Sequence, residues 1–158
     1  AQRLVVLGMG NDGHTASFFP DANELDELLD LETQRLVAAV KKAGNARLIV
    51  VGGAGLLEVA PGVSLLSSGH LPEAWVPIAT SHSKAHKVLA ASDVNWTYFS
   101  PAAYFEPGER TGKFRLGTKE LIANAKGESR ISMEDYAIAL VDELEKPAHE
   151  RASFSIGY

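Results

Sequence analysis

Leu48-Ile49-Val50-Val51-Gly52-Gly53-Ala54-Gly55 is the stretch whose reading decides the architecture. Four aliphatic residues in a row, three of them β-branched, leave no polar face for water. Such a run reads as a strand covered on both sides, as in a parallel sheet. The glycines close it. Upstream, Arg3-Leu4-Val5-Val6-Leu7 has the same character and is stopped by Gly8. Pro20-Asp21-Ala22-Asn23 reads as a turn. Leu25, Leu28 and Leu29 then recur at helical spacing amid Glu24, Asp26, Glu27 and Asp30, one or two acidic amphipathic turns. Thr33 is placed to cap a second helix, with Leu36, Val37 and Val40 on its inner face. Lys41 and Lys42 suit that helix's negative end, and Gly44 stops it.

Downstream, residues 52–79 are rich in Gly, Pro and Ser and read as a long excursion over the sheet edge. A helix is expected over about 81–91, then a strand at Trp96-Thr97-Tyr98-Phe99 ended by Ser100-Pro101. Phe114 to Ile131 reads as short strands with a Lys126-Gly127 turn. Ser132, with Asp135 three residues on, has the form of a capping box with Asp in place of Glu or Gln. The helix it opens would carry Tyr136, Ala137, Leu140, Val141 and Leu144 inward and end before Pro147. Phe154 and Ile156 suggest a last strand. Strands alternating with helices imply an α/β, Rossmann-like fold with a mostly parallel sheet flanked by helices. Ligands in such sheets sit at the carboxyl ends of the strands. Here those ends are Gly8–His14, Gly52–Gly55 and Ser100–Phe105, which together would form one mouth.

Composition narrows the function classes. The 158 residues are 46% hydrophobic and 22% charged, which suits a single domain over 1–158 with a proper core. A net charge of -5 argues against a general nucleic-acid or acidic-membrane binder. The absence of cysteine excludes disulfides, thiolate metal sites and a Cys nucleophile, and is compatible with a reducing, cytoplasmic setting. No apolar run approaches the roughly 20 residues that span a bilayer, and no secretory signal pattern is seen.

Gly8, Gly10 and Gly13 match G-x-G-x-x-G after a strand, a spacing that lets backbone N–H groups approach a pyrophosphate. Pro20 leaves room for only a short following helix. The acid expected about 20 residues on is met only by Glu32, inside the acidic helical stretch. His82, Lys84, His86 and Lys87 form a small basic cluster, read as a solvated helix face. His82 and His86, four apart, have metal-ligand spacing but no third ligand nearby, so no metal is assigned. His70 is expected to be exposed; Trp75, Trp96 and Tyr98 are expected to be core or loop anchors.

Two family resemblances add to this reading. Leu7-Gly8-Met9-Gly10-Asn11-Asp12-Gly13-His14-Thr15-Ala16-Ser17-Phe18-Phe19-Pro20 resembles the signature of 6-phosphogluconolactonases and the related sugar-phosphate isomerase/deaminase motif. That resemblance implies His14 as acid/base and Asp12 beside it, a chemistry that a loop histidine near neutral pH can perform. It covers residues 2 to about 30. Residues 33–158 resemble the C-terminal half of atypical short-chain dehydrogenase/reductases, the NmrA-like NAD(P)H-binding group. The strings are Val40-Lys41-Lys42-Ala43-Gly44, Leu48 to Gly55, Leu57-Glu58-Val59-Ala60-Pro61-Gly62 and Ser92 to Tyr98. Ser100-Pro101-Ala102-Ala103, Glu106 to Gly112 and Arg130 to Ala137 complete the set. This resemblance implies NAD(P) as cofactor, with Gly52, Gly53 and Pro101 facing the nicotinamide and Arg130–Tyr136 in a packing role. The family's first, glycine-rich half is absent, so the fold is incomplete relative to the full family. The Leu4–Leu7 strand would stand where a central strand of the family does. The usual Tyr-x-x-x-Lys pair is also missing; Ser83 and Lys87 keep only its spacing.

Three functions follow as expectations. One is an NAD(P)-binding, oxidoreductase-like module in which Gly8, Gly10 and Gly13 replace the phosphate loop. Another is a lactone hydrolase using His14 and Asp12. The last is a non-catalytic scaffold that pairs with a second copy along an exposed sheet edge. The expected partners are a small molecule or dinucleotide and a homo-oligomer copy, without nucleic acid or membrane.

Overall fold

The computed structural model describes residues 4–7, 22–44 and 46–158, with 4–7 and 22–30 described by their backbone alone. The sheet runs in the order β1 (Leu4–Leu7), β2 (Arg47–Val51), β5 (Trp96–Ser100), β9 (Ala152–Gly157), β7 (Arg115–Gly117). Its first four strands are mutually parallel, and β7 alone runs antiparallel, against β9. Long helices join the parallel strands: α1 (Ala22–Lys42), α2 (Val76–Ala91) and α3 (Met133–Glu145). Two small sheets decorate the connections: the hairpin β3 (Glu58–Ala60) with β4 (Val63–Ser64), and the parallel pair β6 (Tyr104–Glu106) with β8 (Arg130–Ser132). β1 pairs on one side only, with β2, and so forms one edge of the described sheet.

Strand alternation divides the core between the two faces of the sheet. Leu48, Val50, Trp96 and Tyr98 project toward α1 and α2 and meet Val37, Val40, Leu89 and Val94. Phe99, Phe154 and Ile156 project the other way and meet Tyr136 and Ala139 of α3. On that face Phe99 lies between Tyr136 and Phe154, with ring centroids 4.1 and 4.0 Å away and planes near parallel. The Tyr136 hydroxyl donates to the Phe99 carbonyl at 2.8 Å, so α3 is fixed to β5 by a bond as well as by packing.

Four expectations need correction. The two helices expected before Gly44 are one: nothing between Asp30 and Thr33 breaks the backbone pattern, and Thr33 is a buried interior residue rather than a cap. The 52–79 passage is not a bare loop. It holds the β3–β4 hairpin, turned at Gly62 with φ +76°, and two short 3-10 segments, and α2 starts at Val76 with Pro77 in its first turn. Along α3 the buried stripe is Asp135, Tyr136, Ala139 and Glu143, whereas Ala137 and Val141 face out. Finally, the basic cluster on α2 is not wholly solvated, since His82 is buried and His86 half-buried.

Polar partners fix that unexpected register of α3. Arg47, at the foot of β2, is 5% exposed and pairs with Glu143, which is 4% exposed. The arginine also donates to the Glu143 carbonyl at 2.9 Å and to Thr97 Oγ1 at 2.8 Å. Glu143 accepts in addition from His149 Nδ1 at 2.7 Å and from the backbone N–H groups of Ala148 and His149. Burial pushes the Glu143 carboxyl up, but the hydrogen bonds from His149, Arg47 and Ala148 outweigh it and hold it below the usual range. At the other end, Ser132 caps α3, its hydroxyl accepting from Asp135 N–H at 3.0 Å. The second half of the expected box is replaced. Tyr158 Oη accepts the Ser132 N–H at 3.2 Å, while the Asp135 carboxylate accepts from Thr111 Oγ1 at 2.5 Å, Gly112 N–H at 2.8 Å and Tyr158 Oη at 2.9 Å. The Glu109–Gly112 loop is thereby clasped to the helix start, which accounts structurally for the Glu106-to-Gly112 string.

Candidate functional site

The carboxyl ends of β2 and β5 open into a cleft of about 230 Å³. The turn Gly52–Gly55 after β2 forms its floor, and Pro101–Glu106 after β5 forms one side. The start of α2, with Ile78, Ala79 and His82, forms the other. The glycines at 52 and 55 make this wall possible. A Cβ on Gly55 would lie 2.8 Å from Ala79 Cβ, so the turn and α2 touch as backbone against methyl. A Cβ on Gly52 would lie 2.3 Å from Tyr98 Cε1, so the tyrosine ring occupies the space a side chain would need. Gly53 differs: a Cβ there would be 3.5 Å from His82 Cδ2, an ordinary contact, so its position borders free space.

Beneath the floor lies a buried hydrogen bond, between the Tyr98 hydroxyl and His82 Nδ1 at 2.9 Å. Tyr98 is fully buried, and burial raises its hydroxyl well above the ordinary tyrosine range. Burial also lowers His82, to about 4, so the ring is neutral near pH 7. His86, one turn on, lies edge-on to Trp96 and Tyr98, and its Nε2 is 2.8 Å from Ser153 Oγ. The two histidines thus have separate partners and do not converge.

The rim is aromatic. Trp75 and Tyr104, 44% and 46% exposed, meet edge to face with centroids 6.4 Å apart. Arg130 lies over the Tyr104 ring at 4.8 Å and reaches Glu106. Leu65, Leu71, Ile78 and Phe105 add apolar wall, and Glu106 is the one carboxylate among the lining residues, with no lysine or arginine. A flat, uncharged group fits such a cleft better than a phosphate does.

Of the residues singled out from the sequence, Gly52, Gly53 and Pro101 come together in this cleft. Gly8, Gly10, Asp12, Gly13 and His14 lie outside the described residues. Ser83 and Lys87 do not line the cleft; the α2 residue that does so with a polar group is His82. Sequence reasoning missed it because Lys84 and Lys87 make its neighbourhood look solvated. Ile78, Ala79 and His82, at helical spacing, are the signal that could have found it.

A mostly parallel sheet between helix layers, with an apolar cleft floored by glycine backbone at its carboxyl edge, defines a dinucleotide-binding α/β protein. The chain belongs to the NAD(P)H-binding family, whose sequence model matches residues 1–147. The Bacillus subtilis protein YwnB is 43% identical over 135 residues, 82% of this chain. The chain spans 63% of that relative's length. Among solved structures, a Burkholderia pseudomallei protein provisionally named as exported superposes with a TM-score of 0.85 at 40% identity, over 99% of this chain and 72% of that one. A Streptococcus pneumoniae protein provisionally named an NADH-flavin reductase superposes with a TM-score of 0.73 at 29% identity, over 98% of this chain and 86% of that one. The lactonase resemblance is real but short. A 6-phosphogluconolactonase of Mesorhizobium japonicum is 60% identical over 47 residues, 28% of this chain and 20% of that protein. No helix among the described residues is long and apolar enough to cross a membrane.

A planar, uncharged ring, such as one end of a dinucleotide carries, fits the lining of this cleft. The cleft is apolar and narrow, and the surface beside Gly53 is bare backbone that a planar ring can approach. Gly53, Pro101 and the neighbouring Ala102 and Ala103 are the residues that would hold it.

Proposed function

We propose that this chain is a single Rossmann-like domain over residues 1–158 and the nicotinamide-proximal part of an NAD(P)H-dependent oxidoreductase. It is of the atypical short-chain dehydrogenase/reductase, NmrA-like type. The observation that carries this reading is the cleft over Gly53, walled by Pro101 and α2, at the carboxyl ends of two adjacent parallel strands. Bound NAD(P)H supplies a hydride. The chain supplies a dry, apolar enclosure, with Pro101–Ala103 and Ile78 excluding water and Gly53 allowing close approach. Gly52 acts one step removed, by leaving room for Tyr98. Gly8, Gly10 and Gly13 serve as the phosphate loop in this reading, on the strength of their G-x-G-x-x-G spacing in the sequence. We assign the protein to the cytoplasm, where reduced dinucleotide is available, and the β1 edge of the described sheet to pairing with a second copy.

The test is consumption of NADPH with menadione as acceptor, comparing the wild type with Gly53→Val and Gly10→Val. Each variant should weaken NADPH binding by about an order of magnitude. Turnover and affinity unchanged in both would remove these glycines from the cofactor site. The second reading is lactone hydrolysis by His14 and Asp12, supported by a likeness to 6-phosphogluconolactonases over 28% of this chain. Hydrolysis of 6-phosphogluconolactone above background, and lost in His14→Ala, would favour that reaction instead.

A further inference from the structure

His82 is a polar side chain 9% exposed that lines the cleft, and one of its two ring nitrogens has a partner. The tautomer follows from hydrogen-bond accounting. The Tyr98 hydroxyl is fully buried, and among the described residues its hydrogen-bond partner is His82. Its own proton, buried with it, needs an acceptor, and Nδ1 of His82 at 2.9 Å is the one in reach. A neutral imidazole that accepts at Nδ1 carries its proton at Nε2. Nε2 has no acceptor among the described residues, and it lies 3.6 Å from where a Gly53 Cβ would stand, on the cleft side. Nε2 is not among the buried polar atoms left without a partner, so it is reached from the cleft, where a ligand carbonyl can complete it. Burial acts in the same direction, disfavouring the doubly protonated ring.

We propose that the buried Tyr98–His82 hydrogen bond positions the His82 Nε2–H to donate a hydrogen bond to a carbonyl oxygen of an uncharged, planar aromatic substrate, such as a quinone or an aryl ketone. The proposal rests on the oxidoreductase reading above and deepens it by naming the substrate class. The rest of the cleft selects the same class. Trp75 and Tyr104 form an aromatic rim, Leu65, Leu71 and Ile78 give apolar wall, and no lysine or arginine stands among the lining residues to hold an anion. His82 binds and orients; the wild-type ring neither gains nor loses a proton in this role.

The experiment measures binding without turnover, by quenching of the rim tryptophan fluorescence. The probes are menadione, 2-methylnaphthalene (the same bicycle without its oxygens) and NADPH. The wild type should prefer menadione over the hydrocarbon. His82→Phe should weaken menadione about five- to tenfold, the worth of one hydrogen bond, and leave the hydrocarbon affinity unchanged. His82→Gln, which keeps an N–H, should recover part of the loss. Tyr98→Phe keeps the buried ring and serves if His82→Phe does not fold. It frees Nδ1 to take the proton, so it should lower menadione affinity and split the histidine's two-bond proton–nitrogen signal between two tautomers. Equal menadione affinity in the wild type, His82→Phe and Tyr98→Phe overturns the proposal. So does a wild type that binds hydrocarbon and quinone alike, or a His82 effect on NADPH instead of menadione. Failure of NADPH to bind the wild type would sink the oxidoreductase reading alone, because the quinone-over-hydrocarbon preference is read separately.

Discussion

Substituting alanine at Gly52 and at Gly53 separates two uses of adjacent glycines. At Gly52 the new methyl would stand 2.3 Å from Tyr98 Cε1 and 2.5 Å from Cζ. Carbon atoms prefer separations of about 3.5–4.0 Å, so the ring would have to retreat by more than ~1 Å. It has nowhere to go: Tyr98 is 1% exposed, lies in the α1–α2 face of the core and is held by His82. Overpacking of this kind costs about 1–3 kcal/mol, offset by about 0.4–1 kcal/mol from the loss of glycine's freedom in the unfolded chain. A net loss of roughly 1–2 kcal/mol corresponds to roughly 2–8 °C in Tm for a chain of this size. The backbone itself is no obstacle, since Gly52 is not among the left-handed glycines. Gly53 has φ -133° and ψ 162°, a conformation alanine adopts freely, and its methyl would meet His82 at an ordinary 3.5 Å. Gly53→Ala should therefore match the wild type or exceed it by about 0.4–1 kcal/mol. Urea unfolding monitored by circular dichroism measures both. Equal stability for the two variants would show that the Tyr98 ring does not sit over Gly52, and the hydrogen bond built on it would fall too.

Acid should destabilise the fold in two windows. An unfolded histidine binds a proton near pH 6.5, whereas burial keeps His82 neutral down to about 4. The unfolded state therefore takes up the proton first, and stability falls with pH between those values by on the order of 3 kcal/mol. His82→Gln should flatten most of that slope in urea midpoints measured against pH, leaving a residue from His86, which burial shifts the same way. Glu143 is held below its ordinary value, so its contribution is complete above about pH 4.3 and lost as pH falls through the folded value. Glu143→Gln should remove that second limb. Arg47→Met leaves a buried carboxylate without its guanidinium and should cost about 3–5 kcal/mol by equilibrium unfolding, far more than an exposed pair would. Ser132→Ala removes the α3 cap and should cost about 1–2 kcal/mol in the same assay.

The parallel layout was legible because β2, β5 and β9 carry continuous or alternating apolar runs, Leu48–Val51, Trp96–Phe99 and Phe154 with Ile156. The cleft was legible in part, since Gly52, Gly53 and Pro101 follow strand ends. The α3 register was not. Asp135 and Glu143 read as solvent-facing charges until Thr111, Gly112 and Arg47, distant in the chain, come to meet them. His82 was hidden for a like reason: its partner Tyr98 lies on the next strand, and its sequence neighbours are lysines. The β3–β4 hairpin escaped notice because strands of three and two residues carry too little periodicity to register.

Titration of NADPH fluorescence with the purified wild-type chain tests the central claim most directly. Saturable enhancement at micromolar concentration, reversed by excess NADP, is the result this account predicts. A linear, non-saturating signal across that range would contradict it, leaving the chain with the family's fold but without its cofactor.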